Sequence, residues 1–278
     1  MSPSQDQPAA TPSSPARLTR GPVGRHVWSL MVPMTFGLFS IISKNLVDTY
    51  FVAQLGTEPL SAISFTFPVV MFVMAVSIGL GAGASSVVSR VFGGGDLSLV
   101  KRRSTDALVL GLAVVGVVSI AGVLATRPVF TALGARGAIL DHVEAYMQPW
   151  FFGLAFLVVP MVSNSLLRAA GEARRPGMLM VAAALVNAVL DPILIFGWLG
   201  APELGIAGAA WATVISNVLA TIGSLFLLIR EDMLFLRPPT AAEVWSSWKP
   251  LLAVGGPASL ANMINPLGVG IVTRLLAS

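Results

Sequence analysis

Residues 60–89 read LSAISFTFPVVMFVMAVSIGLGAGASSVVS, thirty consecutive positions without a charged side chain. A hydrocarbon core of about 30 Å is crossed by a helix of roughly 20 apolar residues, so this stretch predicts a transmembrane helix. The whole chain is 55% hydrophobic and only 11% charged, with a mean hydropathy of +0.82. Ordinary soluble domains carry about 25% charged residues. The composition therefore indicates an integral membrane protein.

Windows of the same length predict seven transmembrane helices and hence an all-α polytopic membrane protein. The predicted spans cover residues 27–52, 60–89, 105–126, 142–167, 177–199, 206–229 and 250–276.

The predicted spans divide the chain into four parts. Residues 1–26 are rich in Pro, Ser, Thr and Ala and contain no apolar core like that of a signal peptide, so we expect a disordered cytoplasmic tail. We assign residues 27–229 to a six-helix transmembrane bundle, 230–249 to a cytoplasmic linker, and 250–278 to a seventh helix that begins a second, truncated bundle.

The basic residues predict the orientation of the spans, because Lys and Arg near span ends are retained in the cytoplasm. With the seven predicted spans, three basic residues lie on the outer side of the membrane: Arg127, Arg136 and Arg274. The cytoplasmic set comprises Arg17, Arg20, Arg25, Arg90, Lys101, Arg102, Arg103, Arg168, Arg174, Arg175, Arg230, Arg237 and Lys249. The amino terminus is therefore expected inside. These bases flank spans rather than form a basic soluble module, so the net charge of +4 does not indicate a nucleic-acid partner.

Two acidic residues, Asp48 and Asp191, lie inside predicted spans. A charge at mid-membrane costs a few kcal/mol or more and usually marks an ion or proton pathway. Asn187 precedes Asp191 by one helical turn and therefore faces the same way. Two structural alternatives stay open. Asp191 could cap a half-helix that begins at Pro192, and Asp48 could simply pair with Lys44 or lie at the membrane interface.

Several other kinds of chemistry find no support in the sequence. There is no cysteine, and His26 and His142 lie near opposite membrane faces, so no metal site is expected beyond Na⁺ at the acidic pair. Because both histidines lie near the membrane faces, serines within the spans lack a histidine base. This argues against an intramembrane enzyme, so we predict that the protein is not an enzyme. The loop from Gly93 to Asp96 lacks the Gly-Lys-Ser/Thr ending of a phosphate-binding loop. Energy from a membrane gradient is therefore expected.

An internal repeat with an offset of 78 residues relates the first two predicted hairpins. It pairs Leu55-Gly56 with Leu133-Gly134, Arg90 with Arg168, and Gly93 with Gly171. Repeats in transporters commonly surround a site near the midplane that broken helices form. Within the spans, Pro33, Pro160 and Pro192 are candidate break points, and Pro33 is expected to kink the first helix.

Several ordered motifs resemble those of one transporter family. Residues 46–60 (LVDTYFVAQLGTEPL), 79–84 (GLGAGA) and 89–96 (SRVFGGGD) are similar to the first two helices of prokaryotic multidrug and toxic compound extrusion (MATE) transporters. Residues 164–172 (NSLLRAAGE), 187–197 (NAVLDPILIFG) and 205–213 (GIAGAAWAT) resemble their helices 4, 5 and 6. The resemblance covers residues 28–278.

The resemblance implies an antiporter that exports drugs or other small organic solutes, including cations, from the bacterial cytoplasm across the plasma (inner) membrane. The exchanged ion would be H⁺ or Na⁺, with no other cofactor. Asp48, Asn187 and Asp191 match the coupling-site positions of the family, and Tyr146 and Thr213 match supporting positions. Lys44 is a departure, because the family usually has an uncharged, often aromatic, residue there.

The family plan has two six-helix bundles around a cleft, whereas this sequence covers one bundle and a seventh helix. We therefore expect a truncated chain that lacks its C-terminal part, so that the missing bundle or another chain would complete the transporter. Two alternatives remain: a lipid-linked sugar flippase of the same superfamily, and a half-protein that does not transport without its partner.

Overall fold

The computed structural model describes residues 23–235 and 241–276, and all regular secondary structure within them is helical. Eight α-helices follow in chain order: α1 (Val23–Ala53), α2 (Thr57–Gly93), α3 (Leu97–Ala132), α4 (Ala138–Phe152), α5 (Leu154–Ala169), α6 (Arg174–Phe196), α7 (Ile206–Arg230) and α8 (Ala241–Leu276). A short 3₁₀ turn, Trp198–Gly200, follows α6. The prediction of an all-α polytopic membrane fold is confirmed.

Four of the described helices, α2, α3, α6 and α7, are long and apolar enough to cross a membrane. The pair α4 and α5 makes a fifth span if it is taken as one bent element. The predicted spans at α1 and α8 remain predictions.

Two helices begin earlier than the sequence predicted. Helix α1 begins at Val23, and α8 begins at Ala241, inside the segment assigned as a linker. Residues 1–22 of the predicted tail, linker residues 236–240 and the last two residues lie outside the described ranges.

The fourth predicted span is broken at Gly153, where α4 and α5 meet at an angle of 51°. The candidate breaks at Pro33, Pro160 and Pro192 are absent, because each proline lies inside a continuous helix. The kink expected at Pro33 remains a prediction. Hydroxyl groups of neighbouring helices bind carbonyls beside the actual break: Ser119 of α3 donates to Phe151 O (2.6 Å), and Thr221 of α7 donates to Phe156 O (3.0 Å). Such side chains satisfy backbone groups that a bent helix frees inside a membrane.

Close helix packing depends on glycine where α2 meets α8. A Cβ atom added to Gly79 would lie 2.7 Å from Gly255 O, and one added to Gly83 would lie 2.5 Å from Leu251 O. Small residues let helix backbones approach closely where no hydrophobic effect drives them together. Elsewhere α6 packs on both α1 and α7, and this arrangement brings the acidic side chains of α1 and α6 together.

The internal repeat is visible in the turns that follow α1 and α3. Gly56 and Gly134, its paired glycines, both have positive φ angles, 123° and 105°. Side chains other than glycine rarely adopt such a conformation. At the other end of the hairpins, the paired Arg90 and Arg168 each donate a 2.8 Å hydrogen bond to a serine hydroxyl in the preceding turn.

Candidate functional site between α1, α6 and α7

The carboxyl groups of Asp48 and Asp191 meet between α1 and α6. Asp191 is fully buried, Asp48 is 9% exposed, and the two carboxyl groups lie within direct interaction range of each other. Asp191 lies in the interior of α6, which runs unbroken from Arg174 to Phe196, so the alternative that it caps a new half-helix is wrong. The structure thus brings together two acids that are 143 positions apart in sequence.

Lys44 lies one helical turn before Asp48 on α1 and contributes a cation to the cluster. Its ammonium group donates to Asp48 Oδ2 (2.9 Å) and to Thr213 Oγ1 on α7 (3.1 Å). The Lys44 side chain is largely buried, so it points into the protein rather than out along the membrane. The ion pair expected as an alternative role for Asp48 is therefore present, and it forms inside the cluster that contains Asp191.

Asn187 joins the three helices through its amide group, which has two possible orientations. In one, the amide nitrogen donates to Asp48 Oδ1 (2.8 Å), and the amide oxygen accepts from the backbone N–H of Thr213 (3.2 Å). In the other, the nitrogen donates to Asp191 Oδ1 at 3.4 Å. We adopt the first orientation, because it gives both ends of a fully buried amide a partner.

In the adopted orientation the side-chain donors of this cluster serve Asp48 and leave Asp191 without one. Among the described residues, Asp191 Oδ2 is buried and has no hydrogen-bond partner, and Asp191 Oδ1 has no Asn187 donor in the adopted orientation, whereas both Asp48 oxygens accept a hydrogen bond. Lys44 balances one negative charge. A proton on Asp191 would therefore make the cluster neutral and would supply a hydrogen bond between the two carboxyl groups.

Of the remaining predicted residues, Tyr146 lies close to the cluster and Pro33 does not belong to it. Tyr146, on α4, interacts electrostatically with both carboxyl groups. Pro33 lies near the other end of α1, and its carbonyl packs against Gly177 of α6. In the described part of the chain, no group of three or more His, Cys, Asp or Glu side chains is arranged to hold a metal.

A third buried acid, Asp106 on α3, was not anticipated from the sequence. It is 1% exposed, accepts from Arg102 Nε (3.0 Å) and also accepts a hydrogen bond from Ser247 of α8. The Trp248 indole donates to the backbone oxygen of Asp106 (3.2 Å). The spacing of four residues between Arg102 and Asp106 was a usable signal, but nothing in the sequence placed α8 beside them.

These features define a multi-pass helical membrane protein in which two acids are buried between helices. A sequence model of the MatE family matches residues 33–193, more than half of the chain. The chain therefore belongs to the MatE family, and the resemblance drawn from its motifs is confirmed. Members of this family are transporters, which fits the prediction that the chain is not an enzyme.

Individual relatives agree with the family match. The chain is 38% identical to the FAD transporter of Shewanella oneidensis over 94% of its own length, and 29% identical to the multidrug export protein MepA of Staphylococcus saprophyticus over 88%. It superposes on the MATE transporter VcmN of Vibrio cholerae, in its bent form, with a TM-score of 0.82 and 29% identity over 92% of the chain. The chain covers 58%, 53% and 57% of these proteins, respectively, and thus spans little more than half of each.

Proposed function

We propose that this chain contains the ion-coupling half of an antiporter that exports organic solutes across the bacterial plasma membrane in exchange for H⁺ or Na⁺. The observation that supports the proposal best is the contact between Asp48 and Asp191, which joins two helices through their buried acidic groups. Two acids buried side by side between apolar helices are costly unless an ion or proton binds there. Asn187 adds the hydrogen bond that holds Asp48 in place.

The relatives suggest two classes of substrate for the proposed export. Similarity to the multidrug export protein MepA favours drugs, whereas the higher identity to a FAD transporter favours a flavin nucleotide. We propose the flavin nucleotide as the first substrate to test and a lipophilic organic cation as the second. Because the chain covers little more than half of these relatives, we propose that a second bundle, from the same polypeptide or another chain, completes the path.

The first prediction concerns the two acids. In proteoliposomes with an imposed pH or Na⁺ gradient, we expect Asp48→Asn and Asp191→Asn each to reduce gradient-driven transport roughly tenfold or more, because an amide cannot exchange a proton or neutralise a cation. Transport of FAD and of ethidium would be measured in parallel, in vesicles that also contain the second bundle if the chain alone is inactive.

Asp141→Asn is the matched control, because it makes the same acid-to-amide change at an exposed carboxylate on α4 that pairs with Arg127. We expect this variant to transport at the wild-type rate. Undiminished coupled transport in both Asp48→Asn and Asp191→Asn would refute the proposal.

A further inference from the structure

We propose that Lys44 permanently occupies the cation position of the acidic cluster, so that the site exchanges protons at Asp191 and excludes Na⁺. The inference rests on the proposed function, because it concerns the ion that the same site would use. It goes beyond that function by choosing between the two coupling ions.

The contacts of Lys44 are made to the oxygen atoms that an alkali cation would need. Its ammonium group bonds to Asp48 Oδ2 and to Thr213 Oγ1, one carboxylate and one hydroxyl oxygen from different helices. Hard cations are held by several such oxygen ligands. An ammonium group that is covalently attached to α1 cannot diffuse away and is therefore always present as a competitor.

The remaining oxygens of the cluster are too few for Na⁺. The other Asp48 oxygen accepts from Asn187, so the carboxylate oxygens left for a cation in the described part of the cluster are the two of Asp191. Asp191 is fully buried, so water has no direct access to complete a coordination shell around an ion there. A second cation would also lie beside the Lys44 ammonium and be repelled by it.

A proton meets none of these obstacles. It needs a single lone pair, which an Asp191 oxygen supplies, and the resulting hydroxyl can donate to the neighbouring Asp48 carboxylate. The titratable or charged groups that face one another here are Lys44 and Asp48 on α1, Tyr146 on α4 and Asp191 on α6. With Asp191 protonated and Lys44 paired to Asp48, the group carries no net charge.

Na⁺ binding can be measured on the purified full chain by isothermal titration calorimetry, with NaCl as the titrant and choline chloride as the reference. We expect no Na⁺-specific heat from wild type. We expect Lys44→Met to acquire Na⁺ affinity roughly tenfold or more above wild type, because the substitution frees two oxygens and removes the resident charge. Lys44→Arg, which keeps the charge, should remain insensitive to Na⁺.

The proton is detected by infrared spectroscopy as the C=O stretch of a buried carboxylic acid. We expect this band in wild type at neutral pH, unchanged when Na⁺ replaces choline, and absent from Asp191→Asn. The wild-type measurements test the inference even if Lys44→Met does not fold. Na⁺-specific heat in wild type, a carboxylic acid band that Na⁺ removes, or a folded Lys44→Met that gains no Na⁺ affinity would overturn it.

The two proposals can fail separately because ion binding is measured without transport. Na⁺ binding to wild type would refute the inference about Lys44 but would not contradict the antiporter proposal. Conversely, the site could prove protonated and insensitive to Na⁺ while gradient-driven transport survives both acid-to-amide substitutions. That result would support the inference about Lys44 and refute the antiporter proposal.

Discussion

At the scale of single residues, the cluster is a set of polar groups that satisfy one another across three helices. Asp48 accepts hydrogen bonds from Lys44 of its own helix and from Asn187 of α6. Thr213 of α7 is hydrogen-bonded to both of these donor residues. A buried polar group without a partner loses its hydration and gains nothing in return. Each member therefore fixes the position of the others, and Asp191 is held beside a carboxylate that already has its counter-charge.

Thr213→Val tests the link to α7, because valine keeps the shape of threonine and removes the hydroxyl that accepts from Lys44. We expect the substitution to destabilise the detergent-solubilised protein by about 1 kcal/mol, the usual net value of one hydrogen bond. A thermal unfolding series would measure the change. Thr213→Ser retains the hydroxyl and is the control. If both variants unfold at the same lowered temperature, the hydroxyl contact is not the cause.

At the scale of helices, glycine and hydroxyl side chains decide where backbones approach and where they bend. The contact of α2 with α8 depends on Gly79 and Gly83, whose missing side chains leave room for the opposite backbone. The break at Gly153 is accompanied by hydroxyl groups from α3 and α7 that bind the carbonyls on either side of it. Both features are contacts between helices, and the sequence alone does not show which helices take part in them.

Gly79→Ala and Gly83→Ala are expected to lower the thermal unfolding temperature in detergent. The added methyl groups would lie within 3 Å of the α8 backbone, so the helices must separate, and overpacking of this kind costs about 1–3 kcal/mol. Gly116→Ala on α3 is the matched control, because a Cβ atom there meets nothing within 4 Å. We expect that variant to be as stable as wild type or slightly more so, since alanine favours a helix. Equal destabilisation by all three substitutions would contradict the packing argument.

At the scale of the whole molecule, a set of polar contacts ties the seventh predicted span to the first six. Asp106 of α3 bonds to Ser247 of α8, and Arg103 donates to the backbone oxygen of Ser246 (2.9 Å). On the segment that follows α7, Asp232 pairs with Lys101 and the Phe235 amide donates to Thr105 (2.8 Å). The amino-terminal end of α3 therefore holds both the end of the bundle and the start of α8.

Asp106→Asn is expected to loosen this attachment, because it removes the buried charge that Arg102 and Ser247 both contact. Hydrogen bonds to charged groups are worth about 1.5–3 kcal/mol, so amide hydrogen exchange over residues 241–250 should become measurably faster. Asp232→Asn makes the same change at an acid whose side chain is 78% exposed. Exposed ion pairs contribute little, and we expect no effect from it. Unchanged exchange in Asp106→Asn would show that other contacts hold α8.

The sequence by itself determined that this is a helical membrane protein of the MatE family, because apolar windows and ordered motifs are local properties of the chain. It also indicated which acids to examine, since a charge inside an apolar span is visible without any structure. Only the tertiary structure decided that Asp48 and Asp191 touch, that Lys44 turns inward to Thr213, and that the fourth span breaks at Gly153. Those outcomes depend on side chains from helices far apart in sequence, and a local pattern contains no information about which helix packs beside another.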